Sequence, residues 1–149
     1  LEEVINKYKE KIHMFIELKD ETYPDIDKQK ITLANILSSL KPKDDFHFLS
    51  LSEYQFDLFD NFNNDCKVFV SETNINEISP QALAKNYAGI TGHYLLTTDH
   101  IVSLHRAKDQ KVGTGFLKNK TPLFRELNRE IDWIFTDQPW QVLSIIKSM

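Results

Sequence analysis

Two seven-residue runs frame what this chain can fold into. Leu40-Lys41-Pro42-Lys43-Asp44-Asp45-Phe46 and Leu117-Lys118-Asn119-Lys120-Thr121-Pro122-Leu123 share a Leu-Lys-x-Lys-x-x-apolar pattern. Each follows a segment with helical signals and precedes apolar material rich in β-formers. Each then reaches an Asp-containing turn, Asp60–Asp65 or Thr136–Pro139. The order helix, turn, strand, turn, strand, written twice, predicts two similar halves. Their hairpins would merge into one antiparallel sheet with helices packed on it, an α+β fold.

The local signals supply the pieces. Ile12–Leu18, Phe46–Leu51, Tyr54–Leu58 and Lys67–Glu72 read as strands from β-formers or alternating polarity, the last pair forming a hairpin about Asp60–Asp65. Asp25 or Asp27 caps a helix that carries Ile31, Ala34 and Leu37 at helical spacing and ends before Pro42. Ser79-Pro80 reads as a helix start, with the stop near Gly89 and a second helical piece after Thr91. Ile101–His105 and Trp140–Ile146 are β-branched and read as strands, and Lys108–Gly113 as a short helix. Leu123–Trp133 is open between helix and strand on periodicity, and the repeat favours strand.

At 149 residues the chain fits one domain, since domains cluster around ~100–150 residues. The net charge of −4 comes from 18 basic and 22 acidic residues with no basic block, which argues against gripping nucleic acid phosphates directly. The single Cys66 forbids an internal disulfide and suits a reducing compartment, so the expected location is cytoplasmic. No apolar run approaches the roughly 18 residues of a membrane span. Residues 1–11 are charged and read as a linker or short helix, with one domain over residues 12–149.

Chemistry-bearing signals are sparse. His13, His47, His93, His100 and His105 show no spacing that places two ligands on one helical face, so no metal is expected. Cys66 lies in an expected turn without a nucleophile signature. Gly89-Ile90-Thr91-Gly92 is too short for a phosphate-binding fingerprint, and Phe46, Phe48, Phe56, Phe59, Phe62 and Phe69 read as core. No cofactor is expected.

The element order, with Thr121-Pro122-Leu123 and Asp137-Gln138-Pro139 at the last hairpin, resembles the UTRA domain, the effector-binding half of HutC-type GntR transcription regulators. The resemblance covers about residues 12–147. It implies a chorismate lyase-like fold, and a homodimeric regulator whose DNA-binding domain precedes Leu1 and acts on DNA in this chain's stead. It implies a non-enzymatic small-molecule site between sheet and mid-domain helices, lined by Asp57, Glu72, Thr91, Tyr94 and Gln141. The Arg-x-Arg pair of sugar-phosphate-binding members is absent at Gln55–Asp57, which points to a neutral or cationic ligand. The alternatives are a chorismate lyase-like enzyme and a ligand-free protein-interaction domain. Ser71 and Ser144 stand where the enzyme would want charged groups.

Overall fold

The computed structural model describes residues 1–148. It contains six strands, β1 (Met14–Glu17), β2 (Phe46–Ser50), β3 (Lys67–Val70), β4 (Gly89–His93), β5 (Lys111–Gly115) and β6 (Trp133–Phe135). Seven α-helices alternate with them: α1 (Glu2–Tyr8), α2 (Ile26–Leu37), α3 (Glu53–Leu58), α4 (Ile75–Ala84), α5 (Asp99–Arg106), α6 (Lys120–Asn128) and α7 (Pro139–Lys147). The strands form one sheet in the order β1-β2-β3-β4-β5-β6, and every neighbouring pair is parallel. Sequential parallel strands joined by helices are the order of a β/α barrel.

The expected antiparallel sheet of two hairpin halves is therefore corrected to a parallel α/β sheet, and the UTRA-like and chorismate lyase-like architectures fall with it. The Leu-Lys-x-Lys runs mark two helix-to-strand or strand-to-helix junctions, not duplicated halves. Leu40–Phe46 enters β2, whereas Leu117–Leu123 leaves β5 and enters α6. Four segments with strand composition are helices. Tyr54–Leu58 lies in α3, burying Gln55 and Phe56. Ile101–His105 lies in α5, where the Thr98 hydroxyl accepts from the Ile101 amide at 3.3 Å and Ile101, Val102 and His105 form the buried stripe. Leu123–Asn128 belongs to α6, burying Leu123 and Glu126 at i, i+3. Trp140–Ile146 lies in α7, which opens on Pro139 and buries Val142 and Ile145. A buried stripe in each, joined in α5 by the Thr98 cap, outweighs β propensity, a weak and context-dependent preference. Ser79-Pro80 falls inside α4 rather than at its start, with Pro80 facing solvent.

The opposite error occurs at β4 and β5, Gly-Ile-Thr-Gly-His and Lys-Val-Gly-Thr-Gly. Glycine weakens a strand in isolation but marks close approach of neighbouring groups. A Cβ on Gly89 would lie 1.9 Å from the Lys111 carbonyl oxygen. One on Gly113 would lie 2.8 Å from both Phe135 Cε2 and Thr91 Oγ1.

Side chains alternate between the two faces of the sheet. Phe46, Phe48, Phe69, Ile90 and Val112 face the helices and form the main core with Phe56, Tyr87, Ile101 and Val102. Phe15, His47, Trp133 and Phe135 face the other way and meet each other. Phe15 contacts Trp133 at 5.2 Å and Phe135 at 5.0 Å between ring centroids. In a flat sheet β1 and β6 would stand about 24 Å apart, five spacings of about 4.8 Å. The ring contacts therefore show a sheet curled into a half-barrel with an aromatic inner layer. β1 pairs only with β2, and β6 only with β5. Among the described residues no helix is long and apolar enough to cross a membrane.

At the end of the half-barrel where strands begin, His13 Nε2 lies 2.7 Å from His47 Nδ1, and His13 Nδ1 lies 2.8 Å from the Asp44 carbonyl oxygen. A carbonyl only accepts, so His13 carries its proton on Nδ1 and accepts at Nε2 from His47. Burial, with His13, Lys111 and Lys43 nearby, pushes His47 down to about 4. Between that value and the ordinary 6.5 the unfolded chain binds the proton that the folded chain refuses. Stability is therefore full above pH 6.5 and falls as pH drops toward 4, by up to about 1.4 kcal/mol per unit from this group. Urea unfolding at pH 7 and pH 5 measures the loss, and His47→Gln shrinks the difference between them. A second expectation concerns the glycines. Gly113→Ala destabilises the fold by about 1–3 kcal/mol through overpacking. Gly115→Ala, whose Cβ would meet nothing closer than 3.7 Å, costs far less in the same denaturation experiment.

Candidate active site

In parallel α/β folds ligands bind where strands end, because the βα loops there bring different side chains together. On the inner face this end of the half-barrel starts one layer beyond the Phe15–Phe135 contact. Glu17 follows Phe15 by two residues on β1 and so shares its face. Past the strand end, Lys19 Nζ pairs with Glu17 Oε2 at 2.9 Å. Both side chains are open to solvent. The carboxylate raises the pKa of Lys19, mainly through the hydrogen bond between them.

His93 closes β4 on the same inner face. The Leu95 amide donates to His93 Nδ1 at 3.1 Å, so the ring is an acceptor there and its proton sits on Nε2. Tyr94 and Phe116 stack against the ring, at 4.7 and 5.2 Å between centroids. Phe116 follows the β5 terminus with φ 67° and is exposed. A non-glycine residue in that left-handed region is uncommon, and the His93 stack accompanies it here.

The β4–α5 loop beside His93 is clamped from below. Glu126, fully buried on α6, receives Arg125 at 2.6 Å and Arg129 at 2.8 Å. Arg129 also bonds the Thr97 carbonyl at 2.7 Å and pairs with Asp99 at 2.7 Å, while Arg125 bonds the Tyr94 carbonyl at 2.7 Å. The buried carboxylate is thus hydrogen-bonded to two guanidinium groups, as a buried charge must be. The result is a segment 94–99 held at three points, the Tyr94 and Thr97 carbonyls and the Asp99 carboxylate.

The residues expected to line a site are dispersed. Thr91 is buried on β4, with its Cβ and Oγ1 against Gly113. Tyr94 follows it at the mouth, and Glu72 is exposed in the neighbouring β3–α4 loop. Asp57 lies on α3, 3.5 Å from Lys85. Gln141 is exposed in the first turn of α7 and reaches the Lys118 carbonyl at 3.5 Å. Glu17, Lys19 and His93 were missed as a group, although strand-terminal charge was visible in Phe15-Ile16-Glu17-Leu18-Lys19. Among the described residues no three His, Cys, Asp or Glu side chains gather as a metal-holding group. Cys66 is buried beneath the sheet, and its thiol is pushed up to about 11, chiefly by burial, which leaves it inert as a nucleophile.

No family model matches the sequence, and no curated protein matches it. Solved structures do match the fold. A glycerophosphodiester phosphodiesterase from Parabacteroides distasonis superposes with TM-score 0.77 at 15% identity, over 99% of this chain and 62% of that one. A phosphodiesterase from Oleispira antarctica, solved with the product sn-glycerol-3-phosphate, superposes with TM-score 0.75 at 18% identity, over 97% and 58%. A glycerophosphodiester phosphodiesterase from Agrobacterium tumefaciens gives 0.68 at 18%, over 93% and 58%. The chain thus spans about three fifths of the length of these structures. They overturn the reading as a non-enzymatic effector-binding domain of a transcription regulator, which rested on an antiparallel sheet this chain lacks. What the chain shares with these phosphodiesterases is the curled parallel β/α sheet.

Proposed function

We propose that this half-barrel belongs to a hydrolase of small phosphodiesters and that its strand-end mouth is the reacting site. The observation that carries the reading is that three chemically distinct groups stand at the same, C-terminal, ends of strands in a curled parallel sheet, past an inner layer of packed rings. Glu17 is a carboxylate, Lys19 a cation and His93 an N–H donor held in one tautomer. The phosphodiesterase folds superposed above support the same substrate class, including one that holds sn-glycerol-3-phosphate.

In this reading Lys19 binds a non-bridging phosphoryl oxygen through a charge-assisted hydrogen bond. His93 Nε2–H donates to a second such oxygen, where negative charge grows as water attacks phosphorus. Glu17 takes the proton of the attacking water. The bond from phosphorus to the alcohol oxygen breaks, and the departing alkoxide takes a proton from solvent. The aromatic floor keeps water away from the site's underside, which strengthens each of these interactions.

Titration with sn-glycerol-3-phosphate, followed by amide chemical shifts, tests the reading. Saturable shifts are expected in residues 17–19, 93–95 and 116. Lys19→Ala weakens binding about tenfold or more, the worth of one charge-assisted bond. Glu17→Gln lowers hydrolysis of bis(p-nitrophenyl) phosphate by about a hundredfold, as loss of a general base does. Absence of saturable binding at millimolar ligand, or binding indifferent to both Lys19→Ala and His93→Ala, overturns the proposal.

A further inference from the structure

At the end of the half-barrel opposite the mouth, the turns that lead into β2, β4 and β5 enclose a cavity of about 160 Å³. Three cations line it: Lys43 before β2, Lys108 after α5 and Lys111 at the first position of β5. Asp65 and Asp109 line it too, so three positive charges face two negative ones. The ion pairs of the described residues engage Lys19, Lys30, Lys85, Arg125 and Arg129. Lys43, Lys108 and Lys111 belong to none of them. Three ammonium groups thus surround one space without a carboxylate partner.

Unpaired lysines on a surface are ordinary, and what sets this cavity apart is His47. The residue is 2% exposed and lines the cavity. Its Nδ1 carries the proton that it shares with His13, 2.7 Å away, so Nε2 is the acceptor nitrogen of a neutral ring. Nε2 has no hydrogen-bond partner among the described residues, and it is not one of the buried atoms closed to solvent. After burial and His13, the ammoniums of Lys111 and Lys43 hold the ring's pKa down, as cations near an imidazole do. Lys111 Nζ also lies 5.5 Å over the Trp133 ring, whose centroid is 5.1 Å from that of His47. Cations and a free acceptor therefore stand side by side.

We infer that this cavity binds an oxyanion that carries its own O–H, with inorganic phosphate as the ion that fits. The lysines donate to its charged oxygens through charge-assisted hydrogen bonds. The protonated oxygen donates to His47 Nε2. Cations alone would take any anion of equal charge. Here an oxygen without a proton would set its lone pair against that of Nε2 and leave the acceptor unpaired, which costs binding. At about pH 8 inorganic phosphate is a dianion that keeps one O–H. Sulfate has the same charge and tetrahedral shape but no O–H. Phosphomonoesters, whose second pKa is about 6, have lost theirs as well. The site therefore selects free phosphate over sulfate and over phosphate esters. It lies at the other end of the strands from Glu17, Lys19 and His93 and does not rest on the phosphodiester reading.

Sodium phosphate is the probe, titrated into the 149-residue chain at about pH 8 and constant ionic strength with amide chemical shifts as readout. Saturable shifts are expected in residues 43–47, 86–88 and 108–111. Sodium sulfate reaches the same shifts only at concentrations about tenfold or more higher, the worth of one hydrogen bond to a buried acceptor. Lys43→Gln and Lys111→Gln, both at exposed positions where folding is not in question, each weaken phosphate binding about fivefold or more. Sulfate binding as tight as that of phosphate would reveal an adventitious ion only, held by a cluster of cations, and overturns the site. Phosphate binding indifferent to both lysine variants, shifts confined to the mouth, or no saturable binding at millimolar phosphate overturn it as well. Lys19→Ala separates the two readings. It leaves phosphate binding in this cavity intact while weakening that of sn-glycerol-3-phosphate at the mouth. Phosphate binding here without any glycerophosphate binding at the mouth retires the phosphodiester reading alone.

Discussion

The contact on which the rest depends is that of Phe15, on the first strand, with Trp133 and Phe135, on the last. Backbone pairing alone does not decide how far a six-stranded parallel sheet bends, since twist permits a range of shapes. Rings that bury area against each other across the concave face do decide it. With the edges drawn together the sheet has a concave face, and Glu17 and His93 both stand on that face at strand ends. Gly113 is part of the same condition, because Phe135 and Thr91 occupy the room a side chain would need. The inner layer is hydrophobic packing in origin and site architecture in effect.

The two ends of the half-barrel divide labour accordingly. Where strands begin, polar groups are spent on each other, as in the His13–His47–Asp44 chain of hydrogen bonds. The buried His105 is likewise satisfied twice, by the Ser79 hydroxyl at 2.8 Å and the Gln110 carbonyl at 2.7 Å, and burial lowers its pKa. Groups tied up in this way stiffen the fold. Where strands end, Glu17 and Lys19 are solvent-exposed and His93 keeps Nε2 uncommitted within the described contacts, while the Glu126–Arg125–Arg129 cluster holds the neighbouring loop.

How much of this was legible in the sequence depended on what each residue's neighbours are. β1, β2, β3 and α2 were readable because their composition and their burial agree, as in Phe46-His47-Phe48 or the Asp25 cap that accepts from the Lys28 amide at 3.0 Å. α5 and α7 were not, since Ile101-Val102 and Val142 sit in helices whose buried stripes, with the Thr98 cap of α5 and Pro139 opening α7, override a β preference. β4 and β5 were hidden because their glycines make sense only once the adjoining strand is known. Reading helices as strands and glycine strands as helix ends erased the βα alternation and turned parallel pairing into hairpins. The site went with it. Thr91 and Tyr94 lie at or beside the mouth, but the rule that singles out strand ends applies only to a parallel sheet, so Glu17 and Lys19 carried no weight until the topology was known.

The inner layer also gives the molecule an optical asymmetry. Its two tryptophans report on opposite things. Trp133 stands in the concave layer, edge-on to Phe15, with the Lys111 ammonium 5.5 Å above its ring. Trp140 is 83% exposed on α7 and sees mostly water. Emission from the first is sensitive to how tightly the sheet is curled, through both ring packing and the nearby charge, and the second supplies a solvent-like background against which that signal is read. A rearrangement of the barrel wall that moves no helix is thereby visible by ordinary fluorescence, from a residue whose first task is to hold the wall closed.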